Sequence, residues 1–259
     1  MGDNMRKINY FSMLLTLLMV LIPFSSSFSA SGQSSQTEND TSGVFDEYDD
    51  EYTTDAESIS DPLEPYNRVM YKFNDKFYFW ILKPTAKGYK KVVPERARTS
   101  VRNFLSNLSM PVRMVNCALQ GKLWGSAVEI TRFFVNTTWG VAGFFDPAKT
   151  YLGLPMYEED FGQTLGKYGL GSGLFITWPF LGPSSLRDTV GLAADAFLSP
   201  LIYAGESGGL VYSAANPFEV VNNTSLTLGD YEDLKKAAVD PYISIRDAYF
   251  QNRESKVKE

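Results

Sequence analysis

Residues Ala118 to Phe145 form an apolar run containing Leu119, Leu123, Trp124, Val128, Ile130, Phe133, Phe134, Val135, Trp139, Val141, Phe144 and Phe145. Its length approaches that of a membrane-spanning helix, which needs about 20 apolar residues. Two charges, Glu129 and Arg132, sit in the middle, with Lys122 near the start and Gly140 and Gly143 toward the end. Three residues apart, Glu129 and Arg132 are placed to pair on one helical face. Paired charges and glycines in such a run predict a broken helix lying partly in lipid and partly against protein. A helix buried in a globular core is the alternative. Asp146-Pro147 ends the run.

Composition removes much of ordinary enzymology. There is no histidine, and Cys117 is the only cysteine among 259 residues. Ser-His-Asp and Cys-His nucleophile pairs, His-ligated metals, an internal disulfide and a Cys-rich zinc site are therefore excluded. No catalytic, cofactor or metal residue is assigned. Serine, aspartate and lysine leave a Ser-Lys dyad open in principle, without a motif to support it.

The chain opens as an export signal. Arg6 and Lys7 precede an apolar stretch to Phe24, and small residues follow to Ala30. That order describes a secretory signal peptide over 1–29, cleaved after Ser29; an uncleaved anchor is the alternative. No cysteine lies near the exit, so export without lipid attachment is expected. Residues 30–61 carry ten Asp or Glu and no Lys or Arg. Such a stretch cannot bury enough apolar surface to offset its ordering entropy, and 30–60 is read as a disordered acidic linker. The folded domain is expected over 61–253, with 254–259 as a disordered tail. From residue 62 on, 22 Lys or Arg stand against 19 Asp or Glu, so this part is mildly basic.

The basic charge concentrates in residues 65–102, which hold ten Lys or Arg and two acids, Asp75 and Glu95. Val69, Phe73 and Phe77 share one helical face with Tyr66, Met70 and Trp80 nearby, and Lys72, Lys76 and Lys83 lie to the sides. A membrane interface suits such a helix, since aromatic residues enter the acyl boundary and lysines meet phosphate. A core face with a solvated basic flank is the alternative; nucleic acid does not fit an exported chain.

Gly169-Leu170-Gly171-Ser172-Gly173 lacks the spacing and preceding strand of a dinucleotide site. It reads as a loop with close backbone approach or unusual φ. Ser184-Ser185 opens a helix to about Leu198, Asn216-Pro217 breaks the chain, and Asp230 and Asp240-Pro241 open further helices. Strand alternation is scarce, so the fold is expected to be mostly helical, with long connections.

Several motifs recur in a familiar order. They are Asp61-Pro62-Leu63-Glu64-Pro65-Tyr66-Asn67-Arg68, Tyr71-Lys72-Phe73-Asn74, Met114-Val115-Asn116 and Thr131-Arg132-Phe133-Phe134-Val135-Asn136-Thr137. Phe161-Gly162-Gln163-Thr164-Leu165-Gly166, Leu186-Arg187-Asp188 and Asp240-Pro241-Tyr242-Ile243 follow, and Arg246-Asp247-Ala248-Tyr249-Phe250-Gln251 closes the series. In them the chain resembles the MlaA (VacJ) family of bacterial outer-membrane phospholipid-transport proteins, over about 61–251.

The resemblance implies an all-α, ring-shaped (doughnut-like) protein set in the periplasmic leaflet of the outer membrane, with a central amphipathic channel. Mislocalised outer-leaflet phospholipids would leave through it to a periplasmic MlaC-type carrier, beside a trimeric porin, with no covalent chemistry. Residues 123–139 and 166–173 would help form the ring and its pore wall. The residues then expected to touch lipid, in the channel or at the membrane, are Arg68, Lys72, Phe73, Asn74, Phe77, Trp80, Arg132, Phe133, Phe134, Trp139, Gly169 and Gly171. Family members usually carry a lipobox cysteine; without it, anchoring rests on the buried protein surface alone. A membrane-bound scaffold that moves no lipid is the second reading.

Overall fold

The computed structural model describes residues 60–259. The expected signal peptide, and all of the acidic linker before Ser60, lie outside them. Eleven α-helices and one small hairpin make up the described chain. Helix α1 (Glu64–Phe77) passes through a π-helical turn, Tyr78–Leu82, into α2 (Lys83–Val92). Helices α3 (Glu95–Leu108), α4 (Met110–Leu119) and α5 (Leu123–Thr138) follow. A single turn, α6 (Pro147–Thr150), and α7 (Phe161–Lys167) precede the hairpin, β1 (Phe175–Trp178) and β2 (Gly182–Ser185). The chain ends with α8 (Leu186–Leu198), α9 (Gly208–Leu226), α10 (Asp230–Ala237) and α11 (Pro241–Lys258).

Local chemistry sets most helix starts. Asp146, Asp160, Ser185 and Asp240 each accept a backbone N–H from the first turn of the helix they precede, satisfying donors that have no partner inside the helix. Proline in the first turn of α1, α2, α4, α6 and α11 presets φ where no N–H is needed. As expected, α8 opens at Ser185 and closes at Leu198.

The apolar run is indeed broken. It is divided among α4, α5 and a loop over 139–146. A Cβ on Gly140 would lie 2.3 Å from the Asn136 carbonyl oxygen, and one on Gly143 (φ +92°) would lie 2.6 Å from the Asn107 side chain. Only glycine fits either place.

Two expectations are corrected. Pro217 does not break the chain; it lies inside α9, which packs against both α2 and α3. That packing outweighs the one lost backbone bond and the clash with the preceding turn. Residues 254–259 do not form a disordered tail, because α11 continues to Lys258. There Lys256 bonds Glu158 at 2.9 Å, and Lys258 bonds Glu254 one turn back at 2.8 Å.

The hairpin is held by two asparagines seven residues apart on α1. Asn67 donates to the Phe175 carbonyl (3.1 Å) and accepts the Thr177 N–H (2.7 Å). Asn74 donates to the Trp178 carbonyl (2.9 Å) and accepts the Phe180 N–H (2.7 Å). Two primary amides thus act toward β1 as a neighbouring strand would. Phe180, at the turn with φ 65°, packs edge-on against Phe73 and Phe77 at 5.1 and 4.9 Å between ring centres. Buried Phe175 joins the hairpin to Tyr242, Tyr249 and Phe250 of α11. Arg68 extends this junction, bonding Asp240 at 2.9 Å while its guanidinium lies 4.5 Å from the Tyr242 ring centre.

Asn67 is fully buried, so Asn67→Ala leaves two backbone groups without partners. A loss of about 2–4 kcal/mol is expected. Half-buried Asn74→Ala should lose about half of that, and denaturant titration in detergent measures both.

Candidate lipid-contact surface and buried polar seam

Helix α5 carries the unusual feature of this structure. Its inward residues are Gly125, Val128, Glu129, Arg132 and Asn136. Outward stand Leu123, Trp124, Ile130 and Phe134, continued by Trp139; Trp124 is 74% exposed and Trp139 71%. Polar groups are inside and large apolar groups outside, the reverse of a helix on a water-soluble protein.

Each inward polar residue finds partners, although Arg132 Nε has none. Glu129, 0% exposed, accepts Arg113 Nε and the Tyr157 N–H, each at 2.8 Å. Arg132 donates to the Leu154 carbonyl (2.6 Å) and to Asp146 (2.8 Å). Asn136 donates to Asp146 (3.0 Å) and accepts the Ala148 N–H (3.1 Å). Burial pushes the Asp146 carboxyl up, but the Lys149 N–H and the Arg132 guanidinium hold it below the usual carboxylate range. The expected Glu129–Arg132 pair does not form. Both point inward, where Arg113 and Asp146 meet them with better geometry. Arg132 is therefore held as a buried ion by Asp146 and the Leu154 carbonyl.

A second polar group lies where α4, α7 and α8 meet. Asn116 donates to Asp195 (2.8 Å) and accepts the Thr164 hydroxyl (2.9 Å). Gln120 and Lys122 both reach Glu159 at 2.7 Å. Arg253 of α11 grips Asp160 with two bonds of 2.6 and 2.8 Å. Cys117 is buried beside this group, and burial, then Glu159 and Glu129, push its thiol up to about 11; it is chemically quiet.

The exposed apolar set continues beyond α5. Tyr66, Val69 and Phe73 share one face of α1, followed by Trp80 (76% exposed) and Ile81. Val141, Phe145, Tyr151, Phe197, Tyr203 and Leu210 add to it from later elements. Monomers in water rarely show so much exposed apolar surface.

Four of the twelve expected contact residues belong to this exterior. Phe73, Trp80, Phe134 and Trp139 are exposed, and Phe133 is half-buried with its ring edge-on to Phe134. Lys72 and Lys76 are exposed beside the α1 face. Gly169 (φ +87°) and Gly171 lie in an open loop, with free space where a Cβ would be. Others have structural work. Arg68 is held by Glu64 and Asp240, Asn74 by the hairpin, and Phe77 by Phe180. Trp124 and Asn67 were missed. Trp124 follows the apolar spacing of α5, and the seven-residue interval from Asn67 to Asn74 was a readable signal.

Among the described residues, no group of three or more His, Cys, Asp or Glu is placed to hold a metal ion. No described helix is long and apolar enough to cross a membrane.

Comparison with known proteins agrees with this arrangement. The family described as MlaA lipoprotein matches residues 59–256. The chain belongs to the MlaA lipoprotein family. The MlaA protein of Escherichia coli (strain K12), named an intermembrane phospholipid transport system lipoprotein, is 38% identical over 209 residues, 78% of this chain and 80% of that one. Its namesake from Haemophilus influenzae is 32% identical over 211 residues, covering 80% and 83%. A chain solved in work on the structural basis for maintenance of bacterial outer membrane lipid asymmetry superposes with a TM-score of 0.65 at 34% identity, covering 76% of this chain and 99% of that chain. MlaA membership fits a mainly helical body that keeps its polar groups inside.

Two predictions follow the geometry. Burial raises the Asp195 carboxyl to about 7, opposed by the Phe161 N–H and reinforced by Asp160. Between about pH 4 and 7 the folded chain holds this proton and the unfolded chain does not. Rising pH across that window should therefore lower stability by a few kcal/mol. Asp195→Asn should flatten that slope, which unfolding midpoints measured against pH will show. Separately, single-tryptophan variants should report lipid contact. Bromine on acyl chains should quench Trp80, Trp124 and Trp139 strongly, and should spare half-buried Trp178, whose indole donates to Thr189.

Proposed function

We propose that this protein is the outer-membrane component of an intermembrane phospholipid transport system, removing misplaced phospholipid from the outer leaflet and preserving lipid asymmetry. The inverted burial of α5 supports this reading most directly. A helix with ions inside and tryptophans outside is at home in hydrocarbon, where exposed apolar side chains carry no penalty and backbone groups must bond internally. The named MlaA relatives and the outer-membrane subject of the structural neighbour supply the cargo and the membrane.

A diacyl lipid has about thirty CH₂ groups, each costing roughly 0.8 kcal/mol to expose to water. Tails need a shielded route while the headgroup stays wet. A ring seated in the periplasmic leaflet, with an amphipathic channel, provides both. Lys72 and Lys76 beside the α1 aromatic face are suited to lipid phosphate. The partners proposed are a porin trimer and a periplasmic lipid carrier of the MlaC type, and the protein works by binding and passage rather than by covalent catalysis.

Deleting the gene should raise phospholipid in the outer leaflet, read by its acylation or by surface lipid labelling, and a plasmid copy should reverse it. Unchanged asymmetry in the deletion strain would defeat the proposal. Vesicle reconstitution separates transport from scaffolding, because a scaffold binds the membrane without moving lipid.

A further inference from the structure

Unpaired positive charge is concentrated on one stretch of this protein. Helix α1, the π-helical turn and α2 run on as one continuous helix, Glu64–Val92, about 40 Å long at 1.5 Å per residue. An elbow at Val93-Pro94 then leads into α3. Lys72 and Lys76 are exposed on α1, Lys87, Lys90 and Lys91 on α2, and Arg96 and Arg102 on α3. None of these seven forms an ion pair with a described residue. Outside residues 65–102, Lys149 and Lys167 are the only other cations unpaired among the described residues. Lys72 and Lys76 are four residues apart, as are Lys87 and Lys91. Like charges at that spacing share a helix side and repel, so a counter-charge laid along them is favoured.

The matching charge lies in the same chain. Residues 46–57 hold seven Asp or Glu and no Lys or Arg, with Tyr48 and Tyr52 among them. They precede Ser60, and so enter at the end where α1 begins. Length fits as well as charge. Measured along the axis from Glu64, Lys72 stands about 12 Å away and Lys91 about 40 Å. At about 3.4 Å per extended residue, Asp55 and Glu57 come level with Lys72, and Asp46 has the reach for Lys91. Phe45 then falls beside the elbow, where Val92 is 82% exposed.

We propose that residues 46–57 dock along the lysine-bearing side of α1 and α2 as an acidic strap, running back from Ser60 toward the elbow. Exposed ion pairs are weak singly. Here seven acids meet the cations together, and because strap and helix belong to one chain, the effective concentration is on the order of millimolar. Anionic lipid offers the same kind of counter-charge. The strap therefore competes with an anionic membrane for these lysines and sets how strongly α1 and α2 engage it. The contact does not depend on transport, since both of its sides are in this chain.

Carbodiimide coupling of the purified protein in uncharged detergent tests the contact, because it joins a carboxylate to a lysine amine only where the two touch. Mass spectrometry should find links from residues 46–57 to Lys72, Lys76, Lys87 or Lys91 at low salt. They should be largely lost at about 1 M salt, where the screening length falls to about 3 Å. Mixing isotope-labelled with unlabelled protein shows whether each link lies within one chain. Absence of the links, or links that join two chains, would overturn the strap. Replacing the seven acids of 46–57 with Asn or Gln should tighten binding to phosphatidylglycerol-containing vesicles about tenfold, the effect of one or two released lysines. Unchanged vesicle binding would defeat the competition. With Lys87→Gln and Lys91→Gln also present, that gain should shrink to less than half; a gain of equal size in both backgrounds would trace it to net charge and refute docking on α2.

Discussion

The orientation of α5 depends on where its two ions find partners. Glu129 and Arg132 each have a partner on the inner side, Arg113 and Asp146. The outer side carries no charge, only Trp124, Ile130, Phe134, other apolar groups and threonines. In water, turning the helix over would bury those apolar groups and be favourable. In hydrocarbon the same rotation gains nothing from the apolar face and exposes two ions, at several kcal/mol each. The solvent therefore decides which face is inside. Buried ion pairs add little net stability in a water-soluble core, but here they set direction. Once α5 is turned, α4 and the segment 146–157 must come to it, since they supply Arg113, Asp146, the Leu154 carbonyl and the Tyr157 N–H.

A second constraint joins the beginning and end of the described chain. The asparagine pair on α1 holds the hairpin, Phe175 carries the hairpin onto α11, and Arg68 and Tyr242 close the contact from both sides. Tyr242 also donates to Asp61. Asn67 and Tyr242 are buried, so water competes little for these bonds. The same logic applies to Arg253, which bridges Asp160 at the start of α7 and Asp188 in α8. The last helix thus acts as a brace across three elements, which is why its charged end continues as helix.

Local features were legible in the sequence because their physics is local. Ser185 and Asp240 stand immediately before the helices they cap, and the glycines at 140 and 143 mark the end of α5. The apolar stripe of α5 was also readable, and so was its alternative, since periodicity reports that a face exists and not which medium it meets. Pairing was harder to read. Arg113 and Glu129 are 16 residues apart, and Asn74 lies 104 residues from its hairpin partner. No helical spacing relates such positions. The Glu129–Arg132 expectation failed because adjacency on a helix face is a weak claim, a few tenths of a kcal/mol, against a charge-assisted bond in a dry interior. The tail was misread for a related reason: its lysines and glutamates look solvated until Glu158 is brought beside Lys256.

The arrangement also explains how a protein with no described spanning helix can have so apolar an exterior. A spanning helix satisfies its backbone by itself and needs an apolar surface all round. Here no described helix is both long and apolar enough to span, and many have one polar side, so none is suited to hydrocarbon alone. Packed together, they place the polar sides against one another and leave the apolar sides outward. Membrane compatibility is then a property of the assembly, absent from any single segment. Unfolding in lipid would expose Glu129, Arg132 and Asn116 together rather than one by one. Loss of the inner seam should accordingly be cooperative, with the apolar surface offering little resistance until the ions separate.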